Sequence, residues 1–138
     1  MDEYAFFGPA ARFHHIGLAM QSIRAVNPSC EVVVNKTQGV SMAFIRVNGV
    51  TVELLEPFGD DSPIARSVRD GVKLLHLCYE VPDLDAALRS CQPAGFHRVS
   101  RPVRVPEFEN RRIVWVFSKH YGLIELVERD GDGVGGGE

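Results

Sequence analysis

Apolar and polar residues alternate along most of this chain in runs of six to nine, the period of strands rather than helices. Such runs fall at residues 12–20, 30–35, 39–47, 50–56, 74–81, 96–101, 111–119 and 123–128. Asn48-Gly49 joins two of them and predicts a hairpin, because both residues accept positive φ. A helical stretch, Leu84 to Cys91, follows Pro82-Asp83, with Asp83 placed to cap it. A shorter helix is expected from Pro63 to about Asp70, with Ser62 as its cap and Gly71 closing it.

The pattern is used twice. His14-His15-Ile16-Gly17-Leu18-Ala19-Met20 aligns with Leu75-His76-Leu77-Cys78-Tyr79-Glu80-Val81, His15 on His76. Each run is followed later by an apolar strand with glutamates in it, Val52-Glu53-Leu54-Leu55-Glu56 and Ile124-Glu125-Leu126-Val127-Glu128. In both His strands the histidine shares a face with small or polar residues, and bulky apolar residues take the other face. His15 and His76 are therefore read as facing a cavity; a register shifted by one residue would bring His14 in instead.

The span from His15 to Glu53 is eleven residues shorter than that from His76 to Glu125. That is about three helical turns. After the first His strand, Asn27-Pro28 stops any helix early, so the first copy has a shortened or missing helix. The fold expected is α+β, two βαβββ modules forming a cup-shaped mixed sheet around a central cavity. The first module spans residues 12–57, a linker with a short helix spans 58–72, and the second module spans 73–129. The leader before residue 12 is partly ordered by Tyr4, Phe6 and Phe7, and the Gly-rich tail 130–138 is expected to be disordered.

Composition narrows the picture. The 138 residues are 45% apolar and carry a net charge of −3, with scattered arginines. That charge offers no footprint for nucleic acid or an anionic membrane. No apolar run is long enough to span a membrane, and the acidic start Met1-Asp2-Glu3 is unlike a signal peptide. Three cysteines without framework spacing fit reduced thiols and a cytoplasmic location, with Cys78 read as a small buried residue. His97 and His120 lie outside the repeated frame and read as surface residues. Arg112 and Trp115 read as a surface arginine and a core tryptophan.

Taken singly, each repeated histidine reads as a core or edge residue, and each glutamate as the solvent-facing half of an alternating strand. The recurrence of both in one frame is what points to chemistry. Two imidazoles and two carboxylates suit a divalent transition metal (Co, Mn, Ni, Zn or Fe). His15, Glu53, His76 and Glu125 are the candidate ligands. A metal there would polarise a carbonyl and stabilise an enolate as an α-proton leaves, with a glutamate as the base.

These stretches, together with Gln38-Gly39-Val40-Ser41, Asp61-Ser62-Pro63-Ile64-Ala65 and Gly122-Leu123-Ile124-Glu125-Leu126, resemble the vicinal oxygen chelate superfamily. Within it they are most similar to the methylmalonyl-CoA epimerase branch, over residues 12 to 129. The resemblance implies metal ligands at His15, His76 and Glu125, with Glu53 where relatives carry Gln or Glu. It implies α-proton transfer on an acyl-CoA thioester, with Glu125 as a catalytic acid or base. It also implies a homodimer acting on a small molecule. The second acid or base of the branch aligns near Met42, which cannot move a proton. Two other readings share the frame: a glyoxalase-type lyase, to which Glu53 leans, and a non-catalytic binding protein of the antibiotic-sequestering kind.

Overall fold

The computed structural model describes residues 1–129. The expectation for the tail at 130–138 lies outside them. Among the described residues, nine strands, parallel and antiparallel, and few helices make the fold. They are β1 (Arg12–Ala19), β2 (Val33–Asn35), β3 (Val40–Val47), β4 (Val50–Pro57), β5 (Leu74–Val81), β6 (His97–Arg98), β7 (Val103–Val105), β8 (Arg111–Ser118) and β9 (Gly122–Glu128). The helices are α1 (Ile23–Val26), α2 (Ala65–Arg69) and α3 (Leu84–Cys91). The chain divides into two compact units, one of His15–His76 and one of Met1–His14 with residues 77 onward.

In the first unit the strands run in the order β2-β3-β4-β1. β1 lies parallel to β4, and β2, β3 and β4 pair antiparallel. The Asn48-Gly49 hairpin forms as the sequence requires, both residues at positive φ. In the second unit the order is β5-β9-β8-β6, with β7 also on β8, and β5 lies parallel to β9. The repeat is kept in register. Gly17 pairs with Glu53 across β1 and β4, and Cys78 pairs with Glu125 across β5 and β9. The neighbouring strand sets an aromatic against each glutamate, Phe44 against Glu53 and Trp115 against Glu125.

The first helix is shortened, as its spacing predicted, to the four residues of α1. Its start is nevertheless built like that of α3. Ser22 Oγ accepts from Ala25 N, and Asp83 Oδ1 accepts from Ala86 N. The second glutamate of each Glu-Leu-x-Glu run then takes the first helical N–H. Ile23 N donates to Glu56 at 2.6 Å, and Leu84 N donates to Glu128 at 3.1 Å. Both helices thus have their first N–H satisfied from the last strand of their own repeat.

Several boundaries differ from expectation. The linker helix begins at Ala65, with Ile64 as its cap residue and no side-chain cap. Ser62 is used otherwise: its hydroxyl donates to the Gly39 carbonyl and accepts from Ile64 N. The strand expected at 30–35 covers only Val33–Asn35, and the one at 96–101 only His97–Arg98. The interval 102–110, between the runs at 96–101 and 111–119, contains β7 and a 3-10 turn at Pro106–Phe108, so the second copy has one strand more than βαβββ. Val105 and Phe108 are buried there against Cys78, Ile113 and Val127, which holds the segment down.

Candidate metal centre

Strand alternation places His15, Gly17 and Ala19 on one face of β1. Through the register, that face continues as Glu53 and Leu55 on β4 and as Val40, Met42, Phe44 and Arg46 on β3. His15 is fully buried, and Glu53 and His76 keep 3% and 5% exposure, values at which unpartnered polar groups would be costly. These three side chains meet within the first unit. His15 Nε2 lies 3.2 Å from Glu53 Oε1, His76 Nε2 lies 3.6 Å from the same oxygen, and the two imidazole Nε2 atoms are 3.3 Å apart. The Phe44 ring stands edge-on to His15 at 5.6 Å.

Gly17 makes this convergence possible. A Cβ on residue 17 would overlap the His76 imidazole, so the ring occupies the volume a side chain would need. Sequence alignment pairs Gly17 with Cys78, and nothing in that pairing reveals its role as space for a histidine. The signal available was its position two residues after the histidine, on the same face of the strand.

The three donors suit a metal ion. Two nitrogens and an oxygen each about 2.0–2.2 Å from one ion sit roughly 3.0–3.5 Å from one another, and the observed separations are 3.2, 3.3 and 3.6 Å. The remaining predicted ligand, Glu125, is buried at 2% exposure on β9 of the second unit. Met42, at the position of the expected second acid or base, is buried among Val40, Leu55, Ile64 and Leu75. Thioether and alkyl groups are all that this part of the face offers. His97 and His120 are exposed, as read from sequence.

The second unit holds charge networks that the sequence did not disclose. Glu80 receives Arg111 Nη1 at 2.7 Å and Arg12 Nη2 at 3.2 Å, with Arg129 Nε at 3.5 Å. Burial pushes the Glu80 carboxyl up, but the Arg111 hydrogen bond and the surrounding positive charge outweigh it and hold it below the usual range. Glu128 is held by both nitrogens of an Arg112 fork, at 2.9 and 2.8 Å. That hydrogen bond lowers its carboxyl against the opposing effect of burial. Both carboxylates are thus fixed as anions by arginines and are poor proton carriers near neutrality. Arg112, read as a plain surface residue, is part of this bracing.

Residues 14–115 match the Glyoxalase/Bleomycin resistance protein/Dioxygenase superfamily, and the chain belongs to that family. Among its relatives, human mitochondrial methylmalonyl-CoA epimerase is 29% identical over 100 residues, 70% of this chain and 56% of that protein. The chain thus spans a little over half the length of that curated relative. Methylmalonyl-CoA epimerase from Mycobacterium tuberculosis superposes with a TM-score of 0.69 at 25% identity, covering 84% of this chain and 86% of the other. A variant of the Streptomyces coelicolor epimerase, in complex with 2-nitronate-propionyl-CoA, superposes with a TM-score of 0.71 at 25% identity, covering 86% and 97%. Among the described residues, no helix is long and apolar enough to cross a membrane.

Proposed function

We propose that this protein is a metal-dependent epimerase or isomerase that moves the α-proton of a methylmalonyl-CoA-like acyl thioester. The observation that carries this reading is the buried meeting of His15, Glu53 and His76 at separations suited to one ion. Glu125 is the fourth ligand in this reading. Its support is the repeat: it stands opposite Cys78 and Trp115 as Glu53 stands opposite Gly17 and Phe44. The names and the fold of the relatives support the substrate class.

A divalent transition metal, when bound, would polarise the acyl oxygens and stabilise the negative charge left by the departing proton. The rest falls to the chain. His15 and His76 would hold the ion through their imidazole nitrogens, and the buried strands around them exclude water. Glu125 carries the proton, since Glu80 and Glu128 are tied to arginines and Met42 has no proton to give. The protein is further proposed to act as a homodimer in the cytoplasm.

Elemental analysis of the purified protein tests the site. About one transition ion per chain is expected, absent from a His15→Ala, His76→Ala double variant that still folds. Deuterium uptake at the α-carbon of methylmalonyl-CoA in heavy water tests the chemistry. Turnover of methylglyoxal with glutathione, without that uptake, would instead identify a glyoxalase-type lyase. A chain that binds no ion after incubation with Co, Mn, Ni or Zn would overturn the proposal.

A further inference from the structure

We propose that Arg46 determines substrate specificity by binding an anionic group of the substrate. The inference rests on the acyl-thioester reading above and names what that substrate must carry. On β3, Phe44 lies opposite Glu53 and Arg46 lies opposite Thr51. Arg46 is thus one step farther along the face that presents His15 and Glu53, about 6.6 Å beyond Phe44.

That face is closed in the other direction. Beyond Glu53, Leu55 packs with Met42, Val40, Ile64 and Leu75, leaving little room for a ligand. Toward the hairpin the face opens: Phe44 is 41% exposed and Arg46 is exposed. A ligand seated at the three donors therefore extends past Phe44 toward Arg46.

Among the strand arginines, only Arg46 and Arg98, the latter on β6 of the other unit, are without an ion pair or hydrogen bond among the described residues; Arg104 donates to the Asn110 carbonyl. Arg12 and Arg111 are engaged by Glu80, and Arg112 by Glu128. Arg46 has no ion pair or hydrogen bond among the described residues, and it is the one cation on this face of β1 to β4. A guanidinium fork matches a carboxylate or a phosphate through two parallel N–H bonds. Buried histidine and glutamate at one point with an unengaged arginine a strand step away describe a site for an anionic acyl compound. The anion is either a carboxylate near the reacting carbon or a phosphate of the carrier.

Calorimetric titration of the full chain, with and without Co, separates these sources. The probes are methylmalonyl-S-pantetheine (carboxylate, no phosphate), propionyl-S-pantetheine (neither) and propionyl-CoA (phosphates only). Arg46→Gln is expected to weaken one anionic probe about tenfold and to leave propionyl-S-pantetheine unchanged, with Arg46→Lys recovering part of the loss. Loss on methylmalonyl-S-pantetheine assigns the carboxylate; loss on propionyl-CoA assigns the phosphate. Equal affinities of wild type and Arg46→Gln for every probe, at equal melting temperature, would overturn the inference, as would a wild type that binds neither anionic probe. Deuterium uptake separates this result from the parent proposal. Anion binding through Arg46 without α-proton exchange would sink the proton-transfer reading alone, and exchange indifferent to Arg46 would sink only this one.

Discussion

The two units carry the same strand register under unequal cover. Behind β5, β8 and β9, the eight residues of α3 and the side chain of Phe7 close over Val81, Val114, Val116, Ile124 and Leu126, all at 4% exposure or less. Behind β1, β3 and β4, the four residues of α1 supply Ile23 to a smaller cluster with Ala43, Val52 and Leu54. Around that cluster Leu18, Met20 and Ile45 are only partly buried, and Val47 and Val26 are 49% and 64% exposed. Yet Gly17 opposite Glu53 and Cys78 opposite Glu125 are equivalent pairs. Strand pairing therefore positions the candidate ligands, and the crossover helix can shrink as long as its first N–H still meets Glu56.

Equivalent core leucines measure how much the missing turns matter. Leu54 and Leu126 each follow their glutamate and are 1% and 0% exposed. Leu126→Ala opens a cavity in the larger, closed cluster and is expected to cost about 4 kcal/mol, whereas Leu54→Ala is expected to cost about 2.5 kcal/mol, because its half-exposed neighbours can collapse inward. Urea unfolding at neutral pH gives both values. Equal costs would mean that α1 seals its cluster as well as α3 seals the other, and the comparison would fail.

The next contrast is at the site. Gly17→Ala drives a methyl into the His76 ring. Turning the imidazole away is expected to weaken metal binding by about 10- to 100-fold, the usual effect of misorienting a ligand. Cys78→Ala, at the equivalent place, removes a buried sulfur with Val105 and Phe108 around it. It is expected to cost about 1 kcal/mol of stability and to leave metal affinity unchanged. Competition with a chromogenic chelator reads both. Unchanged affinity in Gly17→Ala would show that His76 is not a ligand.

Much of this was legible in the sequence. The period of two set His15 with Gly17 and Ala19, and His76 with Cys78, and these are the sets the two strands bury, while Ile16, Leu18, Leu77 and Tyr79 opposite them stay partly exposed. The eleven-residue deficit and Asn27-Pro28 announced the short α1. The uses of Glu56 and Glu128 were not legible, because each meets a helix start 33 or 44 residues earlier in the chain. The same holds for Glu80, whose three arginines come from positions 12, 111 and 129. Such pairings depend on which strands become neighbours, and alternation alone does not specify that. The linker misled for a local reason: Ser62-Pro63 looked like a helix start, but the Ser62 hydroxyl is spent on the Gly39 carbonyl.

The smallest expected effect separates the two helix-capping glutamates by pH. Glu128 accepts from Leu84 N and is gripped by Arg112; its side chain is 24% exposed and that of Arg112 is 30% exposed. Glu56 accepts from Ile23 N and has no ion pair among the described residues. The Arg112 hydrogen bond holds the folded Glu128 carboxyl below the ordinary range. A depressed folded value means the unfolded chain takes up its proton first as pH falls. The stabilisation is therefore complete above the ordinary glutamate value of about 4.3 and is lost as pH falls through the folded value. Glu128→Gln is expected to cost about 1 kcal/mol at pH 7 and to flatten the decline in melting temperature on the acid side. Glu80, lowered in the same direction, keeps part of that decline in place. Glu56→Gln, which breaks no ion pair and keeps an oxygen to accept from Ile23 N, is expected to cost less than Glu128→Gln at pH 7. Thermal melts from pH 7 to pH 3 compare the three proteins. A Glu128→Gln protein that declines as steeply as the wild type would mean that Arg112 stabilises neither the carboxylate nor the start of α3.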